Sequence, residues 1–297
     1  MDTSYTLLLT AFAAEFEAVK PLVKVKKERT YLGRVLVFGR YKNSDLPVIL
    51  TMTGVGPVNA ALTTQALLTK FCIKRVISVG IAGGVDDSLN IGDIVIPDIT
   101  GLYQQQVYAR EVSPGVFEPP PFLAGVDYGN FNFIFPQATE VLDGTITDSP
   151  PISMFRPTSR RLFKLAQESL KDIKLQQCVD VDGTQLCVDE QPQFRFGGSI
   201  LSGPTFVDNT EYRRWLIENP KFNSPEQPLN AVDEETAINN FVCRQNKIPF
   251  LAIRALSDLA GGRAPPNELV AFLPVSLANL QNVTGIILAA LSPPYSC

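Results

Sequence analysis

Carboxylates are concentrated at two places in the chain where they could carry out acid–base chemistry. Three of them stand side by side in "AVDEETAINNF", as Asp233, Glu234 and Glu235. A fourth, Asp258, ends the strongly apolar run "IPFLAIRALSD". Apolar runs are usually buried, so we expect these acids to point towards the protein interior. Burial there raises the pKa of a carboxyl group and can keep it protonated near neutral pH.

The chain contains no histidine, which narrows the chemistry that it could perform. Ser-His-Asp and Cys-His catalysis, zinc sites with His ligands and acid–base steps on imidazole are all excluded. Any catalysis must therefore rely on carboxylates, Lys, Tyr, Cys or backbone dipoles.

The composition predicts a folded protein that does not bind nucleic acid or membranes. The 297 residues are 45% hydrophobic and 19% charged, which is enough for a sizeable core. The net charge is −4, and the only basic run, "KVKKER" (24–29), is expected to be a solvated face. We expect that no segment reaches the roughly 20 consecutive apolar residues of a membrane span.

The first hundred residues alternate between strand and helix patterns. The runs "TLLLTAF", "RVLVFGR", "PVILTMTGVG", "RVISVGIAGG" and "DIVIPD" are typical of buried strands. The segment "PVNAALTTQALLTKF" has Pro57 near its start and predicts a crossover helix. This order indicates an α/β fold with a mainly parallel sheet.

The middle of the chain has a different composition. From about residue 101 to 196 it is rich in Pro, Gln, Asp and Phe, and we expect long loops around one helix in "RPTSRRLFKLAQESLKDI", which Pro157 and Thr158 would open. Such an insertion is typical of a lid or of decoration at an oligomer interface. The α/β pattern then resumes without a repeat or linker, so we expect residues 1–297 to form one domain.

Cys178 and Cys187 flank "VDVDGTQL", which contains an Asp-Gly turn signal. Two cysteines across such a hairpin can form a disulfide, whereas a zinc site fits the spacing poorly. A disulfide would imply an oxidising compartment, and hence a secreted or vacuolar protein whose signal has been removed. A cytoplasmic location is the alternative.

Ligands of open α/β sheets bind at the carboxyl ends of the strands. Glu15 follows the first strand, and glycine-rich segments end two others, at Thr53–Gly56 and Gly80–Gly84. Glycine at a strand end lets a ligand approach the backbone closely. The phosphate-binding motifs Gly-Lys-Ser/Thr and G-x-G-x-x-G are absent.

Six segments in this order resemble the methylthioadenosine/S-adenosylhomocysteine nucleosidase branch of the nucleoside phosphorylase superfamily. They are "TAFAAEFEAV", "TGVGPVNAA", "GIAGGVDDSLNIGDIVIPD", "SGPTFVDN", "AVDEETAINNF" and "PFLAIRALSDLAGG". The central insertion with "CVDVDGTQLC", "FVDNTEYRRWL" and the ending "SDLAGG" resemble the plant bark-storage and wound-inducible proteins of that superfamily. The resemblance implies a three-layer α/β sandwich, in which helices flank a twisted, mixed and mainly parallel sheet.

The resemblance also implies roles for individual residues. Asp258 falls on the family's general acid, which protonates the departing purine at N7. Glu15 falls on the glutamate that activates the attacking water, and Glu235 on the one that holds the ribose hydroxyls. The other candidates are Glu234 and Phe12 on the ribose side and Phe206, Val207, Ser202, Ile81 and Gly83 on the base side. Carboxylates suit this reaction, because cleavage of an N-glycosidic bond builds positive charge on the sugar.

The chain departs from the family pattern at two places. Glu234 stands where these nucleosidases usually have a methionine, so the sugar pocket is altered and a preference for methylthio substrates is in doubt. Ser78 stands where the phosphorylases have a phosphate-binding arginine, and "AAEFEAV" replaces their N-terminal arginine loop. Without a cation in either place a phosphate dianion would be held poorly, which favours water as the nucleophile.

The leading hypothesis is therefore a hydrolase of purine-type ribosides, such as cytokinin ribosides, adenosine or inosine. It would bind a nucleoside and release a purine base, need no metal or organic cofactor, and work as a homo-oligomer, with a homodimer as our expectation. A phosphorylase and a vegetative storage protein that has lost the reaction are the alternatives.

Overall fold

The computed structural model describes residues 3–123, 133–140, 152–263 and 266–293. The first strands are β1 (Tyr5–Thr10), β2 (Val23–Tyr31), β3 (Arg34–Tyr41), β4 (Pro47–Met52), β5 (Ile73–Gly84), β6 (Ile94–Ile96) and β7 (Ile99–Leu102). The next are β8 (Gln106–Tyr108), β9 (Arg110–Ser113), β10 (Val116–Glu118), β11 (Ile134–Pro136), β12 (Thr139–Glu140), β13 (Ile152–Ser153) and β14 (Phe155–Pro157). The last are β15 (Cys178–Val181), β16 (Thr184–Cys187), β17 (Phe194–Phe196), β18 (Ser199–Ser202), β19 (Leu229–Asp233) and β20 (Phe250–Asp258). The helices are α1 (Ala13–Val19), α2 (Pro57–Lys70), α3 (Arg160–Leu170), α4 (Thr210–Glu218), α5 (Thr236–Gln245) and α6 (Leu269–Ala290).

A large mixed sheet forms the centre of the described structure. Its strands follow the order β14-β7-β18-β19-β5-β1-β4-β3-β2, and β20 pairs with β5 and β6. The pairs β1–β4, β1–β5 and β5–β20 are parallel, so their carboxyl ends lie at one edge. Strands β2 and β3 extend the sheet antiparallel. The predicted α/β fold with a mixed central sheet between helices is confirmed.

Helices cover both faces of the sheet. On one face α1, α3 and α6 pack on the strands through a cluster that includes Leu8, Val19, Leu162 and Val283. On the other face α2 and α5 pack on a cluster with Leu7, Leu9, Leu67 and Cys243. Successive leucines of β1 thus enter opposite layers, as the two-residue repeat of a strand requires. A strand covered on both faces has no exposed side, which explains its uniformly apolar sequence.

Some predicted boundaries differ from the structure. Helix α2 begins at Pro57 as predicted, but α3 begins only at Arg160. Pro157 is instead the last residue of β14, and Ser159 caps α3 by accepting a hydrogen bond from the N–H of Leu162. The segment expected to consist of long loops also contributes β14 and β17 to the central sheet.

A disulfide joins Cys178 to Cys187, as predicted. The two cysteines face each other across the antiparallel hairpin β15–β16, with the turn at Asp182 and Gly183 between them. The hairpin packs against α6. The compartment in which the protein works stays a prediction.

Helix α6 is long and apolar enough to cross a membrane by length and composition, which the sequence prediction overlooked. In the structure Val275, Leu280, Val283 and Ile287 are completely buried, and the helix packs on β20. A core helix of a globular protein meets the same criteria, and the residues of α6 that pack on the sheet belong to the core.

Candidate active site

A cavity of about 210 Å³ lies at the edge where the parallel strands end. Its walls are formed by segments that follow β1, β4 and β18 and by the ends of β5, β19 and β20. The lining residues are Ala11, Phe12, Glu15, Val55, Ile81, Ala82, Gly83, Phe206, Val232, Asp233, Glu234, Glu235, Ser257, Asp258 and Leu269. Glu15, Glu235 and Asp258, which the sequence places far apart, therefore share one cavity.

Asp258 is the last residue of β20 and is 1% exposed. Its Oδ1 accepts a hydrogen bond from the N–H of Ala260 at 2.9 Å, and Ser257 Oγ lies 2.9 Å from its Oδ2. A Cβ at Gly83 would lie 2.9 Å from Oδ1, so glycine leaves room for this carboxyl group. Burial raises the pKa of Asp258 and thereby favours the protonated form that an acid catalyst needs.

Glu15 lies in the first turn of α1 and is 2% exposed. Its Oε2 accepts a hydrogen bond from the N–H of Ala11 at 2.6 Å, and its Oε1 accepts one from the N–H of Ile81 at 2.8 Å. Burial raises the pKa of Glu15, while the charge of Arg254 and the backbone donors act in the opposite direction. Backbone N–H groups on both oxygens favour the ionised form and orient the carboxyl group at the cavity wall.

Glu235 is the residue immediately before α5 and is 6% exposed. The sequence predicted it in the first helical turn, whereas the structure places it one position earlier, at the N-cap. Its Oε1 accepts a hydrogen bond from the N–H of Gly56 at 2.7 Å, which ties it to the loop after β4. Burial, followed by the charge of Asp233, raises the pKa of Glu235 to about 8.

A buried ion pair behind these acids was not predicted from the sequence. Arg254, in the middle of β20, donates a hydrogen bond to Asp233 Oδ2 at 2.6 Å and another to Ser78 Oγ at 3.0 Å. Both charged side chains are 3% exposed. A Cβ at Gly80 would lie 2.5 Å from Glu15 Oε1 and 3.0 Å from Arg254 Nη1, so these two groups also approach each other. The signal in the sequence was a lone arginine within an apolar strand, which requires an acidic partner.

The remaining predicted residues divide into two groups. Phe12, Glu234, Phe206, Ile81 and Gly83 line the cavity, and Val207 lines a smaller adjoining cavity of about 30 Å³ together with Phe206 and Asp258.

Ser202 lines neither cavity. It is completely buried, donates a hydrogen bond to Asp233 Oδ1 at 2.5 Å and accepts one from the N–H of Ala237 at 2.9 Å. Its hydroxyl is therefore engaged in the support of Asp233, and its position does not favour the predicted contact with a base.

No group of three His, Cys, Asp or Glu side chains in the described ranges is arranged to hold a metal ion. The acids of the cavity are instead held by backbone N–H groups, hydroxyls and Arg254. The arrangement can protonate one ligand atom, accept a proton from another and accept hydrogen bonds from hydroxyl groups.

Comparison with known proteins agrees with this architecture. A family model described as "Phosphorylase superfamily" matches residues 6–292. The chain belongs to the phosphorylase superfamily.

Curated proteins and solved structures resemble the chain over nearly its whole length. A 5′-methylthioadenosine/S-adenosylhomocysteine nucleosidase of Lysinibacillus sphaericus is 27% identical over 96% of this chain and 97% of its own length. The futalosine hydrolase of Helicobacter pylori has a TM-score of 0.68 at 22% identity, covering 97% of this chain and 98% of its own. The Colwellia psychrerythraea nucleosidase in complex with adenine has a TM-score of 0.69 at 21% identity, covering 98% and 96%. The two solved structures, from Helicobacter pylori and Colwellia psychrerythraea, share the fold of this chain.

Proposed function

We propose that the protein hydrolyses the N-glycosidic bond of purine-type ribosides and releases the free base and ribose. The observation that carries this proposal is that Glu15, Glu235 and Asp258 line a single cavity. The similar proteins named above include nucleosidases and a hydrolase, and one of them binds adenine, which supports the same reaction class.

Asp258 acts as the general acid of the proposed reaction. Its proton passes to N7 of the purine while the electron pair of the bond between C1′ and N9 stays with the departing base. Burial favours the protonated carboxyl that this step consumes. Phe206, which is 52% exposed and lines the cavity, offers a ring face on which the base can stack.

Glu15 and Glu235 act on the sugar. As the bond to the base breaks, positive charge develops on the ribose ring, and the Glu15 carboxylate in the same cavity stabilises it. A water oxygen bonds to C1′, and one of its protons passes to Glu15. Glu235 accepts hydrogen bonds from the ribose hydroxyls while Gly56 holds its Oε1. The sum of these steps adds one water molecule across the glycosidic bond.

The charges around the cavity favour water over phosphate as the nucleophile. No Lys or Arg is among the described residues that line the cavity. Arg254 lies behind the wall, where its charge is balanced by Asp233. A phosphate dianion would need an uncompensated cation beside it, whereas a neutral water molecule does not.

The identity of the riboside is a finer part of the proposal. The segments that resemble plant bark-storage proteins favour cytokinin ribosides, with adenosine and inosine as further candidates. A storage protein that has lost the reaction is the competing possibility, but the complete set of three acids in one cavity favours an active enzyme.

A nucleoside panel tests the proposed function. The purified chain is incubated with adenosine, inosine and a cytokinin riboside, with and without phosphate, and both the base and the sugar product are measured. We expect free ribose at the same rate in both conditions. Ribose 1-phosphate formed only with phosphate would replace the hydrolase by a phosphorylase, and no base release and no binding by calorimetry would favour a storage protein.

We further propose a homodimer that forms through the outer face of α2. Val58 and Leu62 on this helix are 70% and 67% exposed, and Leu32 beside them is 69% exposed. Leu32 and Leu62 line an open groove of about 760 Å³, and Val55, just before the same helix, lines the acid cavity. A second copy on this face would bury the leucines and lie beside the acid cavity that Val55 lines.

Light scattering after size exclusion tests the dimer. We expect the mass of two chains of 32.5 kDa for the unaltered protein and of one chain for Leu62→Glu. A single-chain mass for the unaltered protein at assay concentration would contradict the dimer.

A further inference from the structure

Glu234 is a carboxylate of the cavity wall for which the described structure provides no partner. It lines both the 210 Å³ cavity and the adjoining 30 Å³ cavity. Its Oε2 lies beside the loop after β4, 3.7 Å from the position that a Cβ at Gly56 would occupy. None of the described donors or cations forms a hydrogen bond or ion pair with this side chain, whereas the other acids of the cavity each have at least one donor.

Helix capping does not explain why a carboxylate stands at position 234. The N-terminal N–H of α5, at Thr236, donates its hydrogen bond to Asp233 Oδ1 at 3.2 Å. The hydroxyl of Thr236 also binds Asp233, which in addition holds Arg254. Asp233 therefore makes the structural contacts of this acidic segment, and Glu234 faces the cavity.

The Glu234 carboxylate is half-buried in the cavity wall, where a bound ligand would displace the water that solvates it. Burial, followed by the charge of Asp233, raises the pKa of Glu234. A hydrogen-bond donor on the ligand would give the carboxylate a partner. Hydrogen bonds to charged groups are stronger than those between two neutral groups. A ligand that lacks the donor leaves the acid desolvated and unpaired, and this difference discriminates strongly between substrates.

We propose that Glu234 is a specificity-determining residue that selects ribosides with a hydrogen-bond donor, a hydroxyl or an amino group, on the 5′ carbon over ribosides with a thioether there. The assignment rests on the proposed function. Under that function Asp258 and Phe206 engage the base and Glu235 engages the 2′ and 3′ hydroxyls. These residues leave the 5′ substituent of the riboside without a contact, and we assign it to Glu234 because Glu234 is adjacent to Glu235.

The cavity also favours neutral or cationic substituents by charge. Asp233 is balanced by Arg254, but Glu234 has no counter-charge among the described lining residues. A 5′-phosphate would bring a dianion beside this carboxylate, so we expect nucleotides to be excluded.

Steady-state kinetics with three adenine ribosides test the proposal. The substrates are adenosine, 5′-amino-5′-deoxyadenosine and 5′-methylthioadenosine, and the variants are Glu234→Met and Glu234→Gln. Glu226→Met is the matched control, because Glu226 is exposed and outside the cavity. We expect kcat/KM of the unaltered protein to be at least about tenfold higher for the hydroxyl and amino substrates than for the thioether.

The variants should separate donor recognition from a structural effect. Glu234→Met should reverse the preference, lowering kcat/KM for adenosine and raising it for the thioether by about tenfold each. Glu234→Gln keeps an acceptor oxygen but no charge. It should therefore retain kcat/KM for adenosine and lose most of the preference for the amino substrate. Equal changes for all three substrates, or a preference for the thioether in the unaltered protein, would overturn the proposal.

A failure of the proposed function can be recognised separately. If the unaltered protein releases no base from any of the three ribosides, the hydrolase proposal fails, and calorimetry with the same compounds then examines Glu234 alone. Tighter binding of the amino compound than of the thioether, reversed in Glu234→Met, would still support donor selection. Equal affinities, or no binding at all, would overturn it.

Discussion

Replacing Asp258 by Asn lowers kcat for riboside hydrolysis by about 100-fold or more, because general acid catalysis contributes roughly 10²–10⁴-fold. The amide cannot deliver a proton to the departing base. The fold should be retained, since the amide oxygen can still accept the hydrogen bond from the N–H of Ala260 that now reaches Oδ1. The rate of base release under saturating substrate measures the effect.

The pH profile identifies the reason for the loss. The acid must be protonated, and burial raises the pKa of Asp258, so activity should fall on the alkaline side as this group ionises. This alkaline limb should disappear in Asp258→Asn, whose residual activity should not depend on that ionisation. Asp182→Asn, in the exposed turn of the disulfide hairpin, is the matched control and should keep the full rate. Base release by Asp258→Asn within threefold of the unaltered rate would refute the assigned role.

Topology explains why much of the site could be predicted. Parallel strands bring their carboxyl ends to one edge, so residues after β1 and at the end of β20 must be neighbours wherever β5 lies between those strands. Glu15 and Asp258 occupy those places. Glu235 follows β19, whose end pairs with the end of β5. The strand pattern was therefore enough to predict that Glu15 and Asp258 meet, whereas the place of Glu235 beside them was implied by the family resemblance, because β19 runs antiparallel to β5.

The ion pair of Arg254 and Asp233 depends on information that the sequence pattern lacks. Its members lie on β20 and β19, which both pair with β5 rather than with each other. No spacing rule along the chain connects them. The same holds for Ser202, whose strand end suggested a place at the cavity but whose side chain points to Asp233 instead.

Strand β2 shows another limit of pattern reading. Its sequence "KVKKER" predicts only a solvated face, and most of its residues are indeed exposed. The structure places it at the edge of the sheet, paired with β3. Lysines along an edge strand discourage pairing with other chains, but they also remove the alternation of apolar residues by which strands are recognised.

Replacing Glu15 by Gln should lower kcat by about 100-fold, because the water then lacks its base. The effect includes a structural part that must be separated. Both oxygens of Glu15 accept backbone N–H groups, from Ala11 and Ile81, so the amide nitrogen of Gln would face one of these donors. We expect a loss of about 1–3 kcal/mol in the free energy of unfolding from the unsatisfied donor.

Three measurements together decide whether Glu15 is the base. Denaturant unfolding gives the folded fraction under assay conditions, and the rate is expressed per folded molecule. The acid limb of the kcat/KM profile, which reports a base that must be ionised, should be present in the unaltered protein and absent in Glu15→Gln. Glu17→Gln, exposed on the same helix, should leave both rate and stability unchanged. If Glu15→Gln loses activity only in proportion to its unfolded fraction, the carboxylate anchors α1 to β5 and a different group activates the water.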